Sequence, residues 1–138
     1  MNHGPLRISR PILEALLAHA RAEFPYECCG LLAGSPGDAT HHFPLVNILR
    51  SPILYEADPR ELLAVQRAMR GLGIAEVAIY HSHPTSAPIP SDTDSQRNGY
   101  GATIPHAIIG PGGELRMWWL NESGFEEAEW EAVEIPPV

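Results

Sequence analysis

The chain has 138 residues, which suits one domain and leaves little room for two. It is 44% hydrophobic and 19% charged, an ordinary balance for a globular protein, and no apolar run approaches the roughly 20 residues of a membrane span. A net charge of -8, from 17 acidic and 9 basic residues, argues against nucleic acid or an anionic membrane surface as partner.

The first residues, Met1-Asn2-His3-Gly4-Pro5, carry neither the basic nor the apolar region of a secretory signal, so the expected address is the cytoplasm. Leu6-Arg7-Ile8 is expected as a short strand. Ser9 as N-cap and Pro11 near the first helical position open a helix. Ile12, Leu13, Leu16, Leu17 and Ala20 recur at helical spacing and carry it to about Phe24, before Pro25. Cys28 to Gly34 predicts a buried strand, Ser35 to Asp38 a turn, and Thr40 to Val46 a second strand.

Asp58, Pro59 and Glu61 stand at N-cap, N1 and N3 of a second helix. Its buried face is expected from Leu62, Val65, Met69 and Leu72, and its end at Gly71 and Gly73. Val77 to Tyr80 leads into His81-Ser82-His83, and the three prolines of residues 84–90 predict an irregular loop. Ser91 is the expected N-cap of a helix to about Gly99. Strands are expected over Ile104 to Ile109, Glu114 to Leu120 and Gly124 to Trp130, with a frayed tail over 134–138. Helices interleaved with strands make this a single α/β (α+β layered) domain over residues 1–138.

The cysteines, Cys28 and Cys29, are adjacent and so point to opposite faces of a strand. They are expected as small apolar core residues rather than a disulfide, nucleophile or ligand pair. His41 and His42 likewise diverge, and His3, His19 and His106 stand isolated in the sequence. Of Trp118 and Trp119, one is expected in the core and one exposed.

His81 and His83 are two apart, which puts both imidazoles on one face of a strand and Ser82 on the other. A catalytic zinc takes three protein ligands and keeps a fourth position for water. Asp94 supplies the third, in the first turn of a helix, where a carboxylate is also favoured by the helix dipole. A chain with seven histidines holds His-x-His by chance about 0.35 times. Requiring Pro84, Ser91 and Asp94 at their offsets lowers that to about 10⁻⁴, which makes the full pattern informative.

His81-Ser82-His83-Pro84, Ser91 and Asp94, with Glu27 just before Cys-Cys-Gly-Leu-Leu-Ala-Gly, resemble the JAB1/MPN/Mov34 (JAMM) metalloproteases. The resemblance runs from about Leu6 to Leu120. It implies an MPN/cytidine-deaminase-like mixed β-sheet flanked by helices, and one Zn²⁺ per chain held by His81, His83 and Asp94. It also implies Glu27 as general acid/base and Ser91 as a stabiliser of the transition state. Residues Asn47 to Glu56, followed by the Asp58 helix, resemble the small bacterial members, which act on ubiquitin-like sulfur-carrier proteins after a C-terminal Gly-Gly. Tyr55 and Glu56 are then expected to hold the substrate tail, as an added strand.

Three bland readings stand beside these. His81 and His83 can be hydrogen-bonded core histidines, Asp94 a helix-terminal carboxylate, and Ser91 an N-cap and nothing more. A non-catalytic MPN scaffold is the alternative function. A two-His-one-carboxylate iron enzyme is a third, against which the ligand order and the capped helices count. The sequence leaves the oligomeric state undecided.

Overall fold

The computed structural model describes residues 4–96 and 103–134. In chain order the elements are β1 (Leu6–Ser9), α1 (Arg10–Glu23), β2 (Cys29–Ser35), β3 (Asp38–Leu45), α2 (Pro59–Leu72), β4 (Ala75–Ser82), α3 (Asp92–Gln96), β5 (His106–Ile109), β6 (Leu115–Asn121), β7 (Gly124–Ala128) and β8 (Trp130–Val133). The eight strands form one mixed sheet in the order β7-β6-β5-β4-β2-β3-β1-β8. The expected α/β layering is therefore present. The tail expected to fray lies, from residue 135 on, outside the described residues, as does the stretch from residue 97 to Gly99 expected as helix.

Two strands sit at the ends of that order, β7 and β8, and Glu129 alone joins them. The sheet curls until its ends meet there. The single strand expected over Gly124 to Trp130 is thus two. β7 runs antiparallel to β6, β8 runs parallel to β1, and the Glu129 carbonyl accepts the Leu6 N–H at 3.1 Å. The break is a tertiary effect, since the two halves pair with partners at opposite ends of the sheet.

The alternation of β2 and β4 divides the core. Cys28, Leu32, Ala78 and Tyr80 pack with Leu16, Leu17 and Ala20 of α1 in one cluster, to which every strand contributes. Cys29, Leu31, Ala33 and Ile79 face the other way, against Leu62, Val65 and Met69 of α2. The two cysteines are buried on opposite faces, and burial pushes their thiols up to about 11 and about 12, so both stay protonated.

Helix α1 follows β1 directly. Ser9 stands at its N-cap, but its side chain makes no capping hydrogen bond. Instead α1 is tied across the core. Tyr80 Oη lies 2.6 Å from His19 Nδ1 and 2.6 Å from His42 Nε2. The expected isolation of His19 does not hold, because folding brings α1, β3 and β4 together at this hydroxyl. The Tyr80 ring lies over Gly30, where any Cβ would collide with it.

Asp58 caps α2 by accepting the Arg60 N–H at 2.9 Å, as expected. Glu61 does not reach back to the cap and accepts the Val46 N–H instead, at 2.6 Å. The helix ends in a Schellman motif: the Gly73 N–H bonds Arg70 and the Ile74 N–H bonds Met69, with Gly73 at φ 70°. Gly71 lies inside the helix rather than ending it. Leu72, expected on the buried face, is 58% exposed, because the reversal at Gly73 sends Ile74 into the α2 cluster instead.

Candidate metal centre

Strand β4 carries His81 fully buried, and the chain continues straight enough for the His83 N–H to bond the Ile109 carbonyl of β5 at 2.8 Å. The two imidazoles therefore share the α2 side of the sheet, as their spacing predicts. Ser82 faces the opposite side. Its Oγ accepts the Cys28 N–H at 2.8 Å, and its own N–H bonds the Cys28 carbonyl at 3.1 Å. The residue between the two histidines thus staples them to the segment that bears Glu27.

The proline-rich loop of residues 84–90 returns the chain to the same place. His83 Nδ1 donates to the Ala87 carbonyl at 2.8 Å, which fixes the tautomer and leaves Nε2 bare towards the site. At the start of α3, Ser91 and Asp94 cap each other. Ser91 Oγ accepts the Asp94 N–H at 3.1 Å, and Asp94 Oδ2 accepts the Ser91 N–H at 2.8 Å. That exchange aims the Asp94 carboxylate at both imidazoles.

The three side chains converge closely. His81 Nε2 and His83 Nε2 are 3.2 Å apart, and each is 3.2 Å from an oxygen of Asp94. Ligand atoms around a tetrahedral zinc at about 2.0–2.1 Å stand about 3.3 Å apart. The spacing, and the donor set of two imidazoles and one carboxylate, suit such an ion. Among the described residues, this is the group of three His, Cys, Asp or Glu side chains able to share a metal ion.

The electrostatics point the same way. Burial alone would raise Asp94, but hydrogen bonds and charge from His81 and His83 outweigh it and hold its carboxyl well below the usual range. His83 is moved up: burial opposes its charge, and the Asp94 and Ala87 oxygens more than compensate. Two polar atoms remain buried without a hydrogen-bond partner among the described residues, His81 Nδ1 and Glu27 Oε1.

Glu27 lies between α1 and β2, is 4% exposed, and lines the same pocket as Asp94 and Tyr55. Burial is the main cause that pushes its carboxyl up to about 8, with Asp94 adding to the rise and His83 opposing it. A carboxyl there can take up or release a proton near neutral pH.

The sequence-predicted set, Glu27, His81, His83, Ser91 and Asp94, is thus brought to one end of β4. Two further residues come with it. The Tyr55 ring stacks on His81 at 4.8 Å between centroids and 24° between planes. His106, expected to be isolated, is buried on the same sheet face, where burial lowers it to about 4 with His81 adding to the effect. Its parallel register with Ile79 places it there, and no signal in the sequence fixes that register. Cys28, Cys29, His41 and His42 stay outside the centre, as expected.

Comparison with known proteins agrees with this geometry. The family model described as prokaryotic homologs of the JAB domain matches residues 9–121. A desampylase of Haloferax volcanii is 34% identical over 135 residues, covering 92% of this chain and 96% of that one. The CysO-cysteine peptidase of Mycobacterium tuberculosis is 43% identical over 91 residues, which is 64% of this chain and only 62% of that relative's length. A protein of Desulfitobacterium hafniense solved in solution superposes with a TM-score of 0.84 at 29% identity, over 94% of this chain and 93% of that one. With most of the chain matched by the family model and a relative aligned nearly end to end, the protein belongs to the prokaryotic branch of the JAB-domain family.

Proposed function

We propose that the protein is a zinc-dependent hydrolase that cleaves the peptide or isopeptide bond after the C-terminal Gly-Gly of a ubiquitin-like sulfur-carrier protein. The observation that carries the reading is the convergence of His81 Nε2, His83 Nε2 and the two Asp94 carboxylate oxygens at 3.2 Å contacts, beside a buried Glu27 carboxyl. The relatives named as a desampylase and a CysO-cysteine peptidase support the kind of substrate.

One zinc per chain would be held by His81 Nε2, His83 Nε2 and Asp94, and when bound it supplies a water acidified to a pKa of about 7 and polarises the scissile carbonyl. Glu27 takes the proton from the attacking water and returns it to the departing amine. Its burial suits the second half, since a carboxyl raised to about 8 retains the proton until the amine departs. The positive charge of a bound zinc would favour the ionised form that accepts it. Ser91 donates its hydroxyl hydrogen to the carbonyl oxygen as charge builds there. Its capping role does not compete: the cap uses Ser91 Oγ as acceptor, and the O–H remains to donate. Tyr55 and Glu56 line the pocket that Glu27 and Asp94 share, which supports a role for this segment in holding the extended tail as an added strand.

The test is cleavage of a carrier protein extended beyond its Gly-Gly, with zinc measured in the same preparation. Stoichiometric zinc and release of the intact Gly-Gly carrier support the reading. A zinc-loaded protein that leaves every such substrate uncut points to a binding scaffold instead.

A further inference from the structure

Segment 47–57 joins β3 to α2 without regular structure of its own, apart from one antiparallel bridge between Asn47 and Ala57. It nevertheless supplies Tyr55, whose ring lies on His81. Something must hold it in shape, and the burial pattern names the group. Asn47 is 4% exposed, the most deeply placed polar side chain of the segment.

Its amide is fully used. Nδ2 donates to the Glu27 carbonyl at 3.0 Å and to the Leu54 carbonyl at 2.9 Å. Oδ1 accepts the Leu49 N–H at 3.1 Å and the Glu56 N–H at 3.1 Å. An asparagine offers two donors and two lone pairs, and all four are matched to backbone groups of opposite kind. No other side chain of this size reproduces that pattern. Aspartate presents oxygen where two carbonyls need a donor, and leucine leaves all four backbone groups unserved. A second tie reinforces the first, since the Glu27 N–H bonds the Ser51 carbonyl at 2.8 Å.

We propose that Asn47 is a positioning residue, clamping the 48–57 segment to the backbone of Glu27 so that the Glu27 carboxyl and the Tyr55 ring share one rigid frame over His81. The catalytic part of this inference rests on the hydrolase reading above; the clamp itself does not. All four hydrogen bonds of the Asn47 amide go to backbone groups and none to His81, His83 or Asp94, so the frame and the metal are separable by experiment.

The measurements use the full chain. In the wild type, amide exchange followed by NMR is expected to protect the Leu49 and Glu56 N–H groups by about 100-fold or more, although neither lies in a helix or strand. Unprotected amides there overturn the proposal without any variant. Asn47→Asp keeps the acceptor and removes both donors, and Asn47→Ala removes everything. Both are expected to bind one zinc with wild-type affinity and to lose kcat by about tenfold to 100-fold, with KM changed less, as misplacement of a catalytic group dictates. Asn47→Asp should keep protection at Leu49, whereas Asn47→Ala should lose it. Folded variants with unchanged kcat and unchanged exchange sink the idea, and so does a loss that appears only as weaker zinc binding. If the wild type cleaves no substrate, the hydrolase reading falls and the exchange and zinc measurements still decide the clamp.

Discussion

Ser91 and Asp94 hold each other: the serine hydroxyl accepts the aspartate N–H at 3.1 Å, and the aspartate carboxylate accepts the serine N–H at 2.8 Å. One capping exchange therefore starts a helix and sets the direction of a metal-binding carboxylate. Ser91→Ala is expected to cost about 1 kcal/mol of stability through the lost cap. It is also expected to cut kcat by about 10²–10³ through the lost hydroxyl donor. Urea unfolding and steady-state kinetics separate the two. A stability loss with kcat intact would reduce Ser91 to a cap.

Removing a ligand acts on the metal first. His83→Ala and Asp94→Asn are expected to abolish zinc retention through gel filtration, read by elemental analysis, and activity with it. In the wild type, saturation with zinc at 100 times its dissociation constant is expected to add about 2.7 kcal/mol of stability, and a chelator to remove it. Melting curves with and without chelator check this.

Glu27→Gln keeps the size of the side chain and removes the titrating proton. Zinc content is expected to stay at the wild-type level while kcat falls by about 10²–10⁴. Loss of zinc in this variant would instead assign Glu27 to the metal.

The Tyr80 hydroxyl between His19 and His42 makes an acid-sensitive joint. Burial lowers both imidazoles, His42 from 6.5 to about 4, so the fold holds them neutral. Between those values the unfolded chain binds more protons than the native one. Stability from this joint is thus complete above pH 6.5 and is lost as the pH falls from 6.5 towards 4. His42→Gln, compared with the wild type in metal-free buffer, is expected to flatten the decline of unfolding free energy across that window. Parallel declines would show that the joint does not titrate.

How much of this was legible differs by residue. His81 and His83 could be placed on one face because alternation along a strand is a local rule. Asp94 was legible because a serine three residues before it starts a helix. Glu27 was visible only through family resemblance, since it lies in a short coil and meets the centre through the Cys28–Ser82 staple, 54 residues apart in sequence. The Tyr80 joint and His106 were not legible at all, because each depends on which strands become neighbours. The division of residues 124–133 into two strands failed for the same reason: nothing at Glu129 marks the break.

The meeting of the sheet's two ends at Glu129 has a consequence for how the chain is made. β8, which pairs in parallel with β1 from Leu6↔Trp130 to Ser9↔Val133, leaves the ribosome long after it. Until β8 emerges, β3 is the one strand that can pair with β1. The cluster around α1, to which Trp130 belongs, cannot close before Trp130 has emerged. The three metal-binding side chains all precede β8 in the chain, so they emerge before the strand that completes the α1 cluster.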